Sequence, residues 1–401
     1  MINWRKYRLG DIVEDIAMGP FGSNLKVDNF INSGVPVIRG SNLNKGGFQE
    51  NNFVFVSEEK AKTLKRCITY PDELVFTHRG TIGQVGIIPN NQYPYYLVSQ
   101  SQMRLAVNKQ YLIPKFLYYF FLSPFGQREL LKNASQVGVP AIATPTKSLK
   151  EVSVLVPPLE EQSRIASILS SLDDKIELNL RMNKTLEAIA QAIFKEWFVD
   201  FRFPGFDGEL VDGLPKGWRR GKLGDGFKLV MGQSPPGESY NEIGNGTAFY
   251  QGRTDFGFRF PENRMYTTVP MRMAKKLDTL VSVRAPVGDI NMAMEECCIG
   301  RGLSAIRHSS GAYSYTYYGM KHIENIFKGF EGEGTVFGSI NKTNFENISM
   351  ILPDSIVVGK FEKFVNPIDE KILNNSCEIK TLTEIRDLLL PKLMTGKIKV
   401  W

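Results

Sequence analysis

Apolar residues recur with a seven-residue period through the middle of the chain, over residues 159–198. The stretch contains no proline and no glycine, so at about 1.5 Å per residue it predicts a helix about 60 Å long. Its alternating spacing of three and four predicts a coiled-coil seam rather than a broad apolar face. One seam row is Ile165, Leu172, Asn179, Leu186 and Ile193, and the other is Leu169, Ile176, Asn183, Ala190 and Trp197.

A second stretch, residues 354–396, has the pattern expected of a partner helix. Without a gap, Leu172–Ile176 aligns with Ile368–Ile372, an offset of 196 residues. The second pair of rows is Phe361, Ile368, Asn375, Leu382 and Leu389, with Val365, Ile372, Ile379, Arg386 and Leu393. An asparagine buried in a seam costs stability but fixes register, because its amide must find a polar partner. The pattern predicts two long antiparallel helices, with a break or new start at Pro367 and an end or kink near Pro391.

The segments that precede the two helices also resemble each other. Leu9-Gly10-Asp11 recurs as Leu223-Gly224-Asp225. The order of the other matches is the same in both halves: residues 72–83 with 278–288, and residues 152–157 with 348–353. A shared order of weak matches indicates an internal duplication.

We therefore predict an α+β fold with a pseudo-two-fold internal repeat, in which two similar mixed α/β domains are separated by two long antiparallel, coiled-coil-like helices. Short β-branched and aromatic runs broken by glycine predict strands at 53–56, 73–77, 152–156 and 279–283, and helices are expected within 114–133 and 313–327. The expected limits are 1–157 for the first domain, 158–200 for the first long helix, 201–216 for a linker, 217–353 for the second domain, and 354–401 for the second long helix and tail.

Composition narrows the function classes. The chain has 401 residues, 42% of them hydrophobic, and a formal charge of +7 that points weakly towards a polyanionic partner. Its four cysteines lack C-x-x-C spacing, so neither a zinc site nor a disulfide framework is expected. No apolar run is long enough to cross a bilayer, and the first residues do not form a signal-peptide core, so a cytoplasmic location is expected.

The sequence gives little support for catalysis. A methylase signature of Asn/Asp-Pro-Pro-aromatic is absent, and the three histidines are scattered. Pro353-Asp354 with Asp369-Glu370-Lys371 formally satisfies a nuclease pattern, but these residues lie along a predicted helix and not at strand ends. We expect no catalytic residue, no metal and no cofactor.

Several motifs together resemble a known family. They are Pro157-Pro158-Leu159-Glu160-Glu161-Gln162, Asp173–Ile176, Phe194–Phe201 and Leu389–Ile398. Their order along the whole chain resembles the specificity (S) subunit of type I restriction-modification enzymes. The resemblance implies two target-recognition domains, each reading one half of a split, asymmetric double-stranded DNA site. It also implies helices that set the gap and dock methylase (modification) subunits, with the restriction/translocase subunit joining the complex. The second helix departs by lacking the Pro-Leu-x-Glu-Gln start.

Base reading needs Arg, Lys, Asn, Gln, Ser or Thr on loops of a rigid scaffold. The candidates in the first half are Arg39, Ser41, Asn42, Asn44, Lys45, His78, Arg79, Thr81, Ser99, Gln100 and Arg104. Those in the second half are Gln251, Arg253, Thr254, Arg284 and Arg301. The alternatives are that these loops are solvated turns of a coiled-coil adaptor, or that the chain is a nuclease or methylase fused to its own reader. The aromatic residues from Phe194 to Phe203 either pack the helix end against a globular domain or form a docking patch.

Overall fold

The computed structural model describes residues 4–44, 47–135, 137–330 and 338–400. The chain divides into two compact units: unit 1 is Met1–Glu177 with Ile379–Trp401, and unit 2 is Leu178–Glu378. Each unit therefore combines one globular part with a portion of both long helices. The domain limits expected from the sequence keep each long helix whole and differ from this division.

Unit 1 contains short strands and four short helices in its described globular part. The strands are β1 Arg5–Arg8, β2 Val13–Met18, β3 Val35–Ile38, β4 Leu43–Asn44, β5 Gly47–Phe48, β6 Val54–Val56, β7 Ile68–Thr69, β8 Leu74–Thr77, β9 Val85–Ile87, β10 Tyr96–Val98, β11 Gln102–Val107, β12 Ala134–Ser135, β13 Ala141–Ile142 and β14 Ser153–Val156. The helices are α1 Glu58–Thr63, α2 Pro114–Leu122, α3 Pro124–Leu131 and α4 Pro145–Lys150. The strands and helices expected from the sequence are confirmed here.

Two sheets organise unit 1. One is antiparallel in the order β2-β11-β8-β9, and the other has the order β6-β3-β10-β7 with β3 and β10 parallel. Strand β1 pairs with β14 and ties the two ends of the globular part together. Strand β8 is buried along its length and packs Phe76 against Phe121 of α2, with ring centroids 4.9 Å apart. An apolar run of this kind is typical of a strand covered on both faces.

Unit 2 repeats this plan. Its strands are β15 Leu210–Val211, β16 Leu214–Pro215, β17 Arg219–Lys222, β18 Phe227–Met231, β19 Tyr240–Asn241, β20 Thr247–Tyr250, β21 Tyr266–Thr267, β22 Met273–Ala274, β23 Thr279–Ser282, β24 Ile290–Met292, β25 Cys297–Ile299, β26 Leu303–His308 and β27 Ser349–Leu352. Its short helices are α6 Leu223–Gly226, α7 Tyr313–His322, α8 Glu324–Gly329 and α9 Lys342–Glu346. The orders β18-β26-β23-β24 and β17-β27, and the parallel pair β20 and β25, reproduce those of unit 1. The predicted α+β fold and its internal repeat are confirmed.

The long helices are α5, Leu159–Phe198, and α10, Ser355–Leu393. The expectation that Pro367 breaks or restarts the second helix was wrong, because α10 runs through it. Pro367 and Lys363, whose carbonyl the proline ring leaves without a partner, are both on the exposed face, where water can hydrate that carbonyl. Pro391 also lies inside α10, which ends at Leu393.

Within each unit the portions of α5 and α10 run antiparallel. In unit 2, residues later in α5 contact residues earlier in α10. Asn179 donates a hydrogen bond to Glu378 at 2.9 Å, whereas the ring of Trp197, further along α5, lies 5.7 Å from that of Phe361. In unit 1, Asp173 meets Arg386 at 2.9 Å. The predicted seam residues Ile165, Leu169, Asn179, Trp197, Phe361, Ile372 and Asn375 are buried, and Leu172, Ile176, Leu186, Ile193, Ile368, Leu382 and Leu389 are half-buried.

The polar layer of unit 2 consists of paired amides. The Asn375 side chain donates from Nδ2 to Oδ1 of Asn183 at 2.8 Å, and Asn183 donates to Oγ of Ser376 at 3.2 Å. Asn183 and Asn375 are each about 1% exposed. Because an amide paired with another amide is satisfied in only one alignment, this pair fixes the register of α5 against α10 within the unit.

Replacing Asn183 alone with leucine is expected to lower the free energy of unfolding by about 1–3 kcal/mol, since the Asn375 amide would stay buried without its partner. The double variant Asn183→Leu with Asn375→Leu should recover most of that loss. Urea denaturation followed by circular dichroism measures both. Two additive losses would show that the amides do not depend on each other.

Gln162 explains the Pro-Pro-Leu-x-Glu-Gln motif. It is fully buried in the first turn of α5, and its Nε2 donates to the carbonyls of Tyr111 at 2.8 Å and Pro157 at 2.9 Å. Its Oε1 accepts the backbone N–H of Ile113 at 2.8 Å. One side chain thus joins the start of the long helix to the start of α2.

Unit 2 makes the same junction with a different residue. Val358 stands where alignment would place the glutamine, and Glu362, one turn later, accepts the backbone N–H groups of Ser314 and Tyr315 at 3.1 Å each. The carboxylate thereby caps the first turn of α7, which lacks the proline that begins α2. The missing motif therefore does not mean a missing junction.

A buried guanidinium joins the globular part of unit 2 to both long helices. Arg259 is 1% exposed, and its Nη2 lies 2.8 Å from Oδ1 of Asp369 on α10 while its Nη1 lies 3.3 Å from Oε2 of Glu187 on α5. The hydroxyl groups of Tyr318 and Tyr317 donate to the same two carboxylates at 2.7 and 2.9 Å. These five residues are called the Arg259 cluster below.

Candidate DNA-binding surface

The loops that carry the candidate residues of unit 1 are held together by backbone hydrogen bonds. They are the loop after β3, the loop after β8, and the turn between β10 and β11. Ser99 N–H donates to the Ile38 carbonyl at 3.0 Å, and His78 N–H donates to that of Ser101 at 2.9 Å. Gly19 N–H, after β2, donates to the carbonyl of β11 residue Gln102 at 2.8 Å. Four chain segments therefore meet at one edge of the two sheets.

Unit 2 has the same framework at the corresponding places. Gly300 N–H donates to the Tyr250 carbonyl at 2.8 Å, and Val283 N–H donates to that of Gly302 at 2.9 Å. Gly232 N–H, after β18, donates to the Leu303 carbonyl at 2.9 Å. Position by position, Arg39 corresponds to Gln251, Arg79 to Arg284, and Gln100 to Arg301.

Many candidates of unit 1 come together on this framework. Arg39, Arg79, Thr81, Ser99 and Gln100 line one cavity of about 300 Å³. Arg79, Thr81 and Gln100 are exposed, whereas Arg39 is half-buried and its Nη2 donates to the Asn52 carbonyl at 2.7 Å. Ser41 is exposed on the turn that follows Arg39. Lys45 lies outside the described residues, and of Asn44 only the backbone is described.

All five candidates of unit 2 are exposed. Gln251, Arg253 and Thr254 follow β20, Arg284 follows β23, and Arg301 lies in the turn between β25 and β26. Arg253 forms an ion pair with Asp289. The loops after β20 and β25 touch, since a Cβ atom at Gly302 would lie 2.4 Å from the Gln251 carbonyl oxygen.

Three candidates of unit 1 lie in the interior, and we remove them from the proposed base-reading set. Asn42 is fully buried, and its Oδ1 accepts the Arg39 N–H at 3.0 Å, so it shapes the loop. Arg104 is 9% exposed and ion-paired with Asp15 at 2.6 Å and Glu73 at 3.2 Å. His78 is 6% exposed, and burial lowers its pKa, which favours the neutral ring. Arg104 also lies within strand β11 and not on a loop, and residue type alone did not reveal these internal roles.

Sequence reasoning missed a basic groove in unit 1. It encloses about 870 Å³, and Arg79 and Gln100 form part of its wall. Lys62, Lys65, Arg66 and Lys150 also line it, and none of the described residues that line it carries a carboxylate. The run Lys60-Ala61-Lys62-Thr63-Leu64-Lys65-Arg66 is the signal that could have found it.

The aromatic residues at the end of α5 are part of the core of unit 2. Phe194, Trp197 and Phe198 are buried, and Phe201 and Phe203 pack against the same core. The Phe203 and Trp218 rings stack with centroids 5.4 Å apart. This placement favours the packing interpretation over a docking patch. Among the described residues no helix has the length and apolar character needed to cross a membrane.

Comparison with known proteins places this architecture. Residues 1–188 match the family model described as the type I restriction modification DNA specificity domain. The chain is 29% identical over 415 residues to the MjaX specificity subunit of Methanocaldococcus jannaschii, covering 99% of this chain and 97% of that one. It is 26% identical over 474 residues to the HindI specificity subunit of Haemophilus influenzae, covering 99% and 100%.

A solved structure has the same fold. It is the type I restriction-modification S subunit from M. genitalium, with a TM-score of 0.65 at 19% identity, covering 98% of this chain and 96% of that one. The repeated α+β fold and the matched DNA specificity domain define a DNA-specificity protein. Over 99% of its length the chain is similar to specificity subunits of type I restriction-modification enzymes, and its first 188 residues match their DNA specificity domain.

Proposed function

We propose that each unit reads one half of a bipartite double-stranded DNA site, and that partner methylase and restriction subunits supply the chemistry. The observation that carries this proposal is the repeated loop framework with different side chains. A backbone held by the same hydrogen bonds in both units offers one docking geometry, and exchanged side chains offer different base choices. The chain itself is proposed to be non-catalytic and to act in the cytoplasm.

The basic groove supports a role in phosphate binding. Lys62, Lys65, Arg66 and Lys150 bring positive charge beside Arg79 and Gln100. Phosphate contacts supply affinity without base choice, and side chains on the neighbouring loops can then reach base edges. We assign the groove to the DNA backbone and the cavity lined by Arg39 and Gln100 to the bases.

The spacing between half-sites is proposed to depend on the long helices, which have 40 and 39 residues. A helix has a fixed rise of about 1.5 Å per residue, so its length sets a fixed distance. A flexible linker would instead allow many different spacings between the half-sites. The exposed faces of the helices are where methylase subunits are proposed to dock.

The groove is tested by the double variant Lys62→Ala with Lys65→Ala in the complex with the cognate methylase. Affinity for every duplex should fall, and the slope of log affinity against log salt should become shallower by about 1.8, because two phosphate contacts are lost. Base preference should not change. The matched control is Lys6→Ala with Lys115→Ala, two exposed lysines of unit 1 outside the groove.

Equal slopes for the two double variants would place the phosphate contacts elsewhere. An adaptor without a DNA role would show no salt-dependent binding to any duplex. Cleavage or methyl transfer by the purified chain alone would contradict its assignment as a non-catalytic subunit.

A further inference from the structure

The two units carry the same pair of residue types at two adjacent framework positions, but in exchanged order. After the first strand of the parallel pair, unit 1 has Arg39 and unit 2 has Gln251. In the turn after the second strand, unit 1 has Gln100 and unit 2 has Arg301. By contrast, the second residue after β8 and the second residue after β23 are both arginine, Arg79 and Arg284.

The two positions are neighbours in each unit. Arg39 and Gln100 line the same cavity of unit 1, and the Gln100 Oε1 would lie 2.8 Å from a Cβ atom at Gly22. In unit 2, Arg301 stands between two glycines that both contact Gln251. A Cβ atom at Gly300 would lie 3.2 Å from the Gln251 Cα. These glycines leave room for the close approach of the two loops in unit 2, and that approach makes Gln251 and Arg301 neighbours in the backbone framework.

In each unit, the arginine and the glutamine of this pair are accessible to DNA. Gln100, Gln251 and Arg301 are exposed. Arg39 is half-buried, and its guanidinium is oriented by the bond from Nη2 to the Asn52 carbonyl. A guanidinium fixed at one end loses less side-chain entropy when its other N–H groups bind a ligand.

The two residue types recognise different purines. Arginine donates two hydrogen bonds to O6 and N7 of guanine, whereas the glutamine amide pairs with N6 and N7 of adenine. We infer that this pair reads one guanine and one adenine in each half-site, and that the two purines stand in opposite order relative to the two units. The inference rests on the proposed function, and it assigns base choice to Arg39, Gln100, Gln251 and Arg301.

The shared arginines are assigned a different role. Arg79 and Arg284 occupy one framework position and are the same residue in units that read different sequences. A contact common to both units fits the phosphate backbone, which is the same in every sequence.

The inference is tested by exchanging the pair within one unit of the full chain, in complex with the cognate methylase. The variants are Arg39→Gln with Gln100→Arg, and separately Gln251→Arg with Arg301→Gln. Binding to a duplex library and sequencing of the bound fraction reports the preference at every base pair. Each exchange should convert guanine to adenine and adenine to guanine at two positions of one half-site. Affinity for the original site should fall about 30-fold or more, because two bidentate contacts are lost, and the other half-site serves as internal control.

A folded exchange variant that keeps the original base preference, or that loses affinity equally for all sequences, would overturn the inference. If an exchange variant does not fold, the single variants Gln100→Ala and Arg301→Ala decide, because both side chains are exposed. Each should abolish discrimination at one base pair, and unchanged discrimination overturns the inference. Failure of the proposed function looks different, since the wild-type complex would then select no bipartite sequence.

Discussion

Removing one heptad from each long helix is expected to shorten the gap between the two half-sites by about three base pairs. Seven helical residues span about 10.5 Å, and duplex DNA rises about 3.4 Å per base pair. The segments to remove are Ile176–Met182 of α5 and Ser376–Leu382 of α10, which keep the heptad pattern in phase. Mapping of the bases methylated on co-expression with the cognate methylase measures the gap.

The choice of segments keeps the amide pair of the seam, although it removes Ser376, the second partner of Asn183. The deletion removes both partners of the bond between Asn179 and Glu378, and it leaves Asn183 opposite Asn375. The matched control is Asn179→Ala with Glu378→Ala at full length, which loses the same bond and should keep the gap. A deletion variant that still methylates sites with the original gap would show that the helices do not set the spacing.

Replacing Arg259 with alanine is expected to destabilise unit 2 by about 3–5 kcal/mol, because two buried carboxylates would lose their counter-charge. The side chains of Glu187 and Asp369 are only 9% and 3% exposed, so solvent compensates little of their charge. Hydrogen exchange measured by mass spectrometry should show faster exchange in residues 178–378 and little change in unit 1.

Unit 1 offers a matched control for the Arg259 cluster. Asp173 aligns with Asp369 and also accepts a tyrosine hydroxyl, that of Tyr119 at 2.7 Å. Its guanidinium comes from Arg386 of α10, and the side chains of this ion pair are 25% and 29% exposed. Arg386→Ala should therefore cost about 1 kcal/mol or less. Equal losses for the two alanine variants would refute the distinction between the buried and the accessible pair.

The two ion clusters show how a duplicated chain can diverge while keeping one contact. Alignment of the helices places Ala190 where Arg386 stands in the other half. Ala190 is fully buried, and its small side chain carries no charge for Asp369. The counter-charge of Asp369 is Arg259, which comes from the globular part of unit 2. A variant with Arg259→Met, Glu187→Gln and Asp369→Asn should recover most of the stability lost in Arg259→Ala, since no charge would remain buried.

The sequence was sufficient to predict the repeated α+β fold and the long helices, because repeats and heptad periodicity can be read directly from the order of residues. The heptads placed α5, and the repeated motifs indicated the α+β repeat that the sheets display. Pro367 misled the prediction, because α10 continues through it at an exposed position where water can hydrate the freed Lys363 carbonyl. The junction made by Glu362 could not be predicted either, since it replaces Gln162 one turn away from the aligned position.

Prediction of the candidate site was limited by a different kind of information. Residue type and flanking glycines selected loops that the fold does bring together, including those of Arg79 and Gln100. They could not separate exposed side chains from Asn42 and Arg104, whose hydrogen bonds are made with residues distant in the chain or hidden within the loop. The basic groove was missed because its cations come from α1, the turn after it and α4, and only folding assembles them.

The most direct test of the central claim is to map every base methylated when the full chain is expressed with its cognate methylase. Two specified blocks separated by a fixed number of unspecified base pairs are the predicted result, with Arg39→Gln and Gln100→Arg altering one block only. A single continuous motif, or methylation without sequence preference, would contradict the claim that two like units each read half of the site.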